Sequence, residues 1–254
     1  MTVVGLLHPG EMGAAVGAVL RERGETVLWV SAGRSAATAE RARAAGLEDV
    51  GNVAKLCRRS EFVLSVCPPH AAIDVAGAAR DFEGIYIDAN AIAPETARSI
   101  AGMHERFVDG GIVGPPPLNP GTTRLYLSGA DAERVARLFE GTNVDARPIS
   151  GEPGAASALK AAYAGWTKGS AALLLAVRAL ARAEGVEHTL LAEWQRSLPD
   201  AEEQSRSAAR SAQAKGWRWI GEMNEIGRAM AAQDLPDGFH EAAAEIFRRV
   251  SEES

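Results

Sequence analysis

At 254 residues, with 46% hydrophobic and 24% charged residues, the chain has ordinary globular composition and room for one large or two modest domains. Its net charge of -6 and the lack of any dense Lys/Arg run argue against a nucleic-acid binder and favour small-molecule chemistry. Cys57 and Cys67 make neither a disulfide framework nor a metal-ligand spacing, the chain starts directly in a strand without a signal-peptide pattern, and the apolar stretch 171–177 is far too short to span a bilayer, so a reduced, cytoplasmic protein without a metal is expected.

Residues 3–7, all apolar or glycine, suit a buried parallel strand, followed by a tight turn and a helix over 14–23 that Gly24 ends. Gly10 and Gly13 stand where a G-x-G-x-x-G fingerprint has its second and third glycines, the first lacking the Cβ that would block a pyrophosphate and the second allowing helix to pack on strand. His8 occupies the first glycine's place, followed by Pro9. Histidine tolerates left-handed conformations better than most residues, so a tight turn stays feasible. Either His8, Pro9, Gly10, Glu11, Met12 and Gly13 form a dinucleotide-binding turn, or they form a strand-turn-helix unit that binds nothing.

The second strand, 26–30, runs into Ser31-Ala32-Gly33-Arg34-Ser35, where an NAD-preferring site usually carries Asp or Glu. Arg34 offers a guanidinium and Ser35 a hydroxyl for a 2′-phosphate, with the Ser31 turn beside them, which favours NADP over NAD. The alternative is a solvated loop arginine. Helices are expected over 36–45 and 52–59, then a strand over 62–66 that Cys67-Pro68-Pro69 stops abruptly. Those three residues form either a wall of a cofactor cleft or a loop stiffener. A strand over 85–88 leads to Asn90 at its end and to a helix opening at Pro94. Strands over 107–112, 124–128 and 143–148, a helix over 130–139 and a loop over 114–121 complete a doubly wound α/β domain spanning 1–150.

Beyond Gly151-Glu152-Pro153-Gly154 the pattern is wholly helical, defining a second domain over 151–254. A helix from 155 to about 185 would be about 45 Å long, a length that usually joins two domains or two subunits, and its small apolar face over 162–181 suits close packing. A homodimer is expected. Further helices are expected over 190–215, 217–232 and 239–251. Lys160 lies in an apolar run beside the domain boundary, where the helix faces the strand ends, with Tyr163 and Lys168 flanking it. Burial and the charge of Lys168 would both lower its pKa. Glu222 and Glu225, one turn apart, read as solvated surface carboxylates rather than an amine or polyol site.

Taken together, these segments resemble the β-hydroxyacid dehydrogenase and 6-phosphogluconate dehydrogenase superfamily. Gly10-Glu11-Met12-Gly13 resembles its glycine-rich turn, Asp88 to Thr96 its substrate-binding segment, Asp109-Gly110-Gly111 with Gly114 its later glycine-rich segment, and Gly154 to Lys160 its catalytic lysine motif. The stretches 215–226 and 235–240 are similar to a less characterised C-terminal domain of phosphogluconate-dehydrogenase-like proteins. The resemblance implies a Rossmann-type domain, an NADP-dependent reductase or dehydrogenase acting on C=O or C=N, and Lys160 as proton donor or acceptor, with Tyr163 and Asn90 as further catalytic candidates. Val113 stands where many relatives have a substrate-binding serine, and Tyr163-Ala164 where they have an asparagine, so the substrate does not carry over. An imine reductase and a non-catalytic NADP-binding sensor or scaffold are the alternatives.

Overall fold

A computed structural model of the protein describes residues 1–252; the last two positions of the expected C-terminal domain lie outside the described residues. The first part of the chain alternates strand and helix: β1 (Val3–Leu7), α1 (Glu11–Glu22), β2 (Thr26–Trp29), α2 (Ala36–Ala44), β3 (Glu48–Asp49), α3 (Val53–Arg59), β4 (Phe62–Ser65), α4 (Ala72–Ala78), β5 (Ile85–Asp88), α5 (Pro94–Ala101), β6 (Phe107–Val113), β7 (Thr123–Ser128), α6 (Ala132–Ala136) and β8 (Val144–Pro148). The eight strands lie in the order β3-β2-β1-β4-β5-β6-β7-β8. Neighbours from β3 to β6 pair in parallel, β7 runs antiparallel to β6, and β8 is parallel to β7. The chain starts near the middle, winds to one edge, then crosses to the other side of β1, so the strand order reverses between β1 and β4.

Both sheet faces are covered, which is why the central strands read as continuous apolar runs. Val4, Leu6 and Leu64 pack with Val16, Leu20 and Val135 on the α1 and α6 face; Leu7, Val63 and Tyr86 pack with Leu56, Ala76 and Ile100 on the face of α3, α4 and α5. Two elements escape the sequence pattern. The strand β3 is only two residues long, and α4 follows a 3-10 turn, Pro69–Ala71, so Pro68 and Pro69 open a helical segment as well as ending the strand.

The second part is helical: α7 (Ala155–Ala183), α8 (Glu187–Ser197), α9 (Ala201–Ala231) and α10 (Gly238–Glu252). The described residues divide into two compact units, Met1–Lys160 and the residues from Ala161 onward, with the division inside α7. The expected helices over 190–215 and 217–232 are corrected. The chain breaks at Leu198-Pro199, and α9 runs unbroken through Gly216. Proline lacks the N–H and pushes the residue before it out of helical geometry, and Leu198 accordingly has φ -140. Gly216 is a packing residue, since a Cβ there would stand 3.2 Å from Ser251 Oγ of α10. Within this unit Ala164, Ala172, Ala212, Met223, Ile226 and Phe247 form the core, and Gly165 and Gly169 admit His240 and Phe239 against α7. Among the described residues no helix is long and apolar enough to cross a membrane.

Candidate functional site

The turn after β1 sits at the point where the strand order reverses, the usual ligand position of an open α/β sheet. His8 takes φ +68, the left-handed conformation that the missing glycine would have supplied. Its carbonyl accepts the Gly10 N–H at 2.7 Å, closing the turn. A Cβ on Gly13 would meet His8 O at 2.6 Å, so only glycine lets α1 seat against the turn. A Cβ on Gly10 would meet nothing within 4 Å: that side is open space. No side chain caps the N-terminus of α1, leaving its first N–H groups directed outward, while Met12 turns inward to the core and Glu11 stays exposed.

Across the reversal point, Cys67 follows β4, and Arg34 comes in from the loop after β2. Burial, and secondarily the Arg34 charge, holds the His8 imidazole down at about 4, and burial likewise lowers the pKa of the Arg34 guanidinium. The Nδ1 of His8 and the Nε of Arg34 are buried without a hydrogen-bond partner. Burial pushes the Cys67 thiol up to about 12, which disfavours the thiolate. Ser35 serves α2: its Oγ accepts the Thr38 N–H at 3.3 Å as the N-cap. The loop also meets a carboxylate that chain order conceals. Asp49, at the end of β3, accepts the Ser31 N–H at 3.1 Å and the Gly51 N–H at 2.9 Å, and these bonds lower its pKa.

A row of four buried polar side chains crosses the carboxyl end of the sheet. Ser65, Asp88, Asp109 and Ser128 are paired in register on β4, β5, β6 and β7, and each is 0% exposed. Equal register places all four on one face. Asn90 ties the first two together: its Nδ2 donates to Ser65 Oγ at 3.1 Å and to Asp88 Oδ2 at 2.8 Å, its N–H donates to Asp88 Oδ1 at 3.0 Å, and its Oδ1 accepts the Cys67 N–H at 2.5 Å. The Asn90 amide is thus committed to holding the loops after β4 and β5. Asp88 is pushed up to about 7, chiefly by burial and further by the charge of Asp109, against the Asn90 hydrogen bonds.

Asp109 holds the start of α7. Its Oδ2 accepts the N–H groups of Gly154 and Ser157, both at 2.9 Å, and its Oδ1 accepts Ser157 Oγ at 2.5 Å. Ser128 Oγ donates to Asp109 Oδ2 at 3.1 Å and accepts the Ala156 N–H at 3.1 Å. The helix then passes over β6 so closely that a Cβ on Gly111 would meet Ala156 O at 2.8 Å and Lys160 Cβ at 3.1 Å. Lys160 therefore stands over the carboxyl end of β6, partly buried, and burial alone lowers its pKa to about 8. The expected contribution of Lys168 is corrected: that ammonium pairs with Glu222 in the helical unit and lies 5.8 Å from the Trp219 ring centroid. Glu222 and Glu225 are likewise not solvated, since Glu222 is held by Lys168 and Glu225, 6% exposed, pairs with Arg228. Tyr163 is 47% exposed on α7, three residues beyond Lys160.

The role of Asp109 escaped a reading by residue type because its partners Gly154 and Ser157 are remote in sequence. The available signal was a polar residue closing the apolar runs of β4, β5 and β7, whereas Asp109 stands inside β6. Among the described residues no His, Cys, Asp or Glu group could hold a metal. Three comparisons bear on this arrangement. Residues 181–250 match the family described as a domain of unknown function, DUF1932. The chain is 29% identical over 191 residues to an uncharacterised 28.5 kDa protein encoded in the 7S RNA 5′ region of Methanothermus fervidus, covering 74% of each chain. Among solved structures it is similar to MTH1747, a conserved protein of unknown function with structural similarity to 3-hydroxyacid dehydrogenases, at 30% identity, TM-score 0.75, and 98% and 97% coverage of the two chains. It also shares the fold of a 3-hydroxyisobutyrate dehydrogenase of Mycobacterium tuberculosis, at 18% identity, TM-score 0.74, and 99% and 94% coverage.

Proposed function

The chain belongs to the β-hydroxyacid dehydrogenase and 6-phosphogluconate dehydrogenase-like superfamily, and from that premise we propose that it is an oxidoreductase that moves a hydride between NADPH and a carbonyl or imine carbon. The observation that carries the reading is the seat of Lys160 over Gly111, at the same carboxyl end of the sheet as the turn at His8. A dinucleotide fits the residues of that turn. The uncapped N-terminus of α1 supplies N–H groups for a pyrophosphate, Gly10 leaves the approach open, and the unpartnered His8 Nδ1 and Arg34 Nε are buried polar atoms in want of a partner. NADPH, when bound there, supplies the hydride for reduction.

What the chain itself contributes is orientation and a proton. Hydride arrival at a carbonyl or imine carbon leaves charge on the oxygen or nitrogen, and an ammonium with a pKa of about 8 is still mostly protonated near neutral pH yet releases its proton readily. Lys160 takes that role, with Tyr163 as the alternative donor. Asn90 acts as a positioning residue, since its polar atoms are spent on Cys67, Ser65 and Asp88. Cys67, Pro68 and Pro69 wall the cofactor side, and residues 1–150 form the cofactor-binding domain, with 151–254 serving substrate binding and dimerisation.

Both C=O and C=N substrates remain in the reading because similar folds occur in an Aspergillus terreus reductive aminase complexed with NADPH and ethyl levulinate. The rival reading, a sensor or scaffold that binds NADPH without consuming it, uses the same turn at His8, so cofactor turnover is what separates the two. The test is NADPH titration by fluorescence followed by single-turnover oxidation across 2-keto acids, 3-keto acids, aldehydes and cyclic imines. Binding with oxidation by at least one compound is expected. Binding without oxidation by any would favour the sensor, and no binding would overturn both.

A further inference from the structure

We propose that Asp109 is the positioning residue of Lys160: its buried carboxylate, inside β6, clamps the first turn of α7 to that strand and so sets where the lysine stands above Gly111. The inference rests on the reading of Lys160 as the proton carrier, although the clamp itself can be measured without any substrate.

The geometry leaves Asp109 little else to do. It is fully buried and accepts four hydrogen bonds, three of them from Gly154 and Ser157 at the start of α7 and one from Ser128. Two of these come from backbone N–H groups at a helix N-terminus, where a negative charge is most favourable. Ser128 adds a second strand to the clamp by accepting the Ala156 N–H. The anchored residues 154, 156 and 157 precede Lys160 by no more than two helical turns, so a shift or rotation at the anchor is carried to the lysine almost undiminished. From below, Gly111 sets the height: Ala156 O and Lys160 Cβ rest on the space its missing Cβ leaves. The groups facing Asp109 are Asp88 from β5, Ser128 from β7 and Ser157 from α7, and Asp88 is itself held by Asn90, which also holds Cys67. One polar row thereby anchors both the loop walling the cofactor turn and the helix carrying the lysine.

The experiment measures Lys160 directly. Its pH-dependent labelling by an amine-reactive reagent, read by mass spectrometry, reports its pKa in the intact protein. Wild type should titrate near 8. Asp109→Asn removes the negative charge that the two N–H groups and both hydroxyls share, weakens the hold on the first turn, and should let water reach Lys160, raising its pKa toward 10.5 while NADPH affinity changes by less than about threefold. Gly111→Ala lifts the same turn from below and should move the pKa the same way. If Asp109→Asn does not fold, Ser157→Ala, which deletes only the Oγ–Oδ1 bond, is the graded substitute and should give a smaller rise. An unchanged Lys160 pKa in folded Asp109→Asn, or in Ser157→Ala together with Gly111→Ala, overturns the clamp. With a substrate in hand, kcat in Asp109→Asn should fall by up to about 100-fold with KM for NADPH nearly unchanged. Labelling that shifts while kcat holds would leave the clamp standing and would overturn Lys160 as the proton carrier.

Discussion

Two opposing charges meet at the loop after β2, and their balance is expected to decide cofactor preference. On the proposed reading Arg34 would attract a 2′-phosphate, whereas Asp49, which accepts the Ser31 N–H, would repel one. Arg34→Ala should weaken NADPH binding by roughly ten- to a hundredfold, the loss of about 1.5–3 kcal/mol for a charge-assisted hydrogen bond, and leave NADH binding nearly unchanged. Asp49→Asn should strengthen NADPH binding severalfold because an amide oxygen still accepts the Ser31 N–H. Fluorescence titration with both cofactors checks each outcome, and equal wild-type affinities would count against the preference. Lys160 carries a stability cost as well as a proposed chemical role. Burial lowers its pKa from 10.5 to about 8, so the unfolded chain binds more protons between those values. The cost is therefore full below pH 8 and fades as pH rises to 10.5. Lys160→Met should raise stability at pH 7 by up to about 3 kcal/mol in a denaturant titration while lowering turnover by ~10²–10⁴-fold. In wild type, turnover in the direction of reduction should decline as pH rises through about 8.

Within the helical unit, the ion pair of Lys168 on α7 with Glu222 on α9 is mostly buried, the two side chains being 16% and 20% exposed. Lys168 also lies over Trp219, which packs edge-on against Phe247 of α10, so three helices converge on this pair. Removing one partner of such a pair strands a charge, and Glu222→Ala should cost up to about 3–5 kcal/mol. The double change Lys168→Met with Glu222→Leu should recover most of that loss. Thermal denaturation of the two variants discriminates this coupling from a solvated pair, whose deletion shifts Tm by less than a degree or two. The same helices illustrate how glycine and proline differ in force as punctuation. Pro199 stops a helix because it lacks the donor, whereas Gly216 sits inside one because α10 needs the room.

At the scale of the molecule, α7 carries Trp166, Leu173 and Leu180 at seven-residue intervals, and these side chains are 76%, 51% and 63% exposed. With Tyr163 they make an apolar stripe along one side of a long helix, of the kind that a second copy of the chain covers in a homodimer. Light scattering at micromolar concentration should give a dimer. Leu173→Glu with Leu180→Glu should give a monomer of unchanged helix content. A wild-type monomer would end the proposal.

Much of this protein follows from local order. Alternating apolar runs and breakers place the strands and most helices of the first unit, because period and punctuation are read over a few residues. The turn after β1 was legible for the same reason, down to a histidine able to stand at positive φ, and Lys160 stood out as a charge in an apolar helical run. What lay beyond the sequence was every feature made by residues far apart in the chain. The run β1 to β4 reverses order only in the assembled sheet; Asp49 reaches Ser31, and Glu222 reaches Lys168, only through packing. The row Ser65, Asp88, Asp109 and Ser128 is set by strand register, which shifts every side chain to the other face with a slip of one residue and is decided by the whole sheet at once. Residue types and spacing determined which groups are available for the proposed chemistry; tertiary structure alone decided which of them are held, neutralised or left in want of a partner, because those properties depend on burial and on neighbours that the chain brings together from a distance.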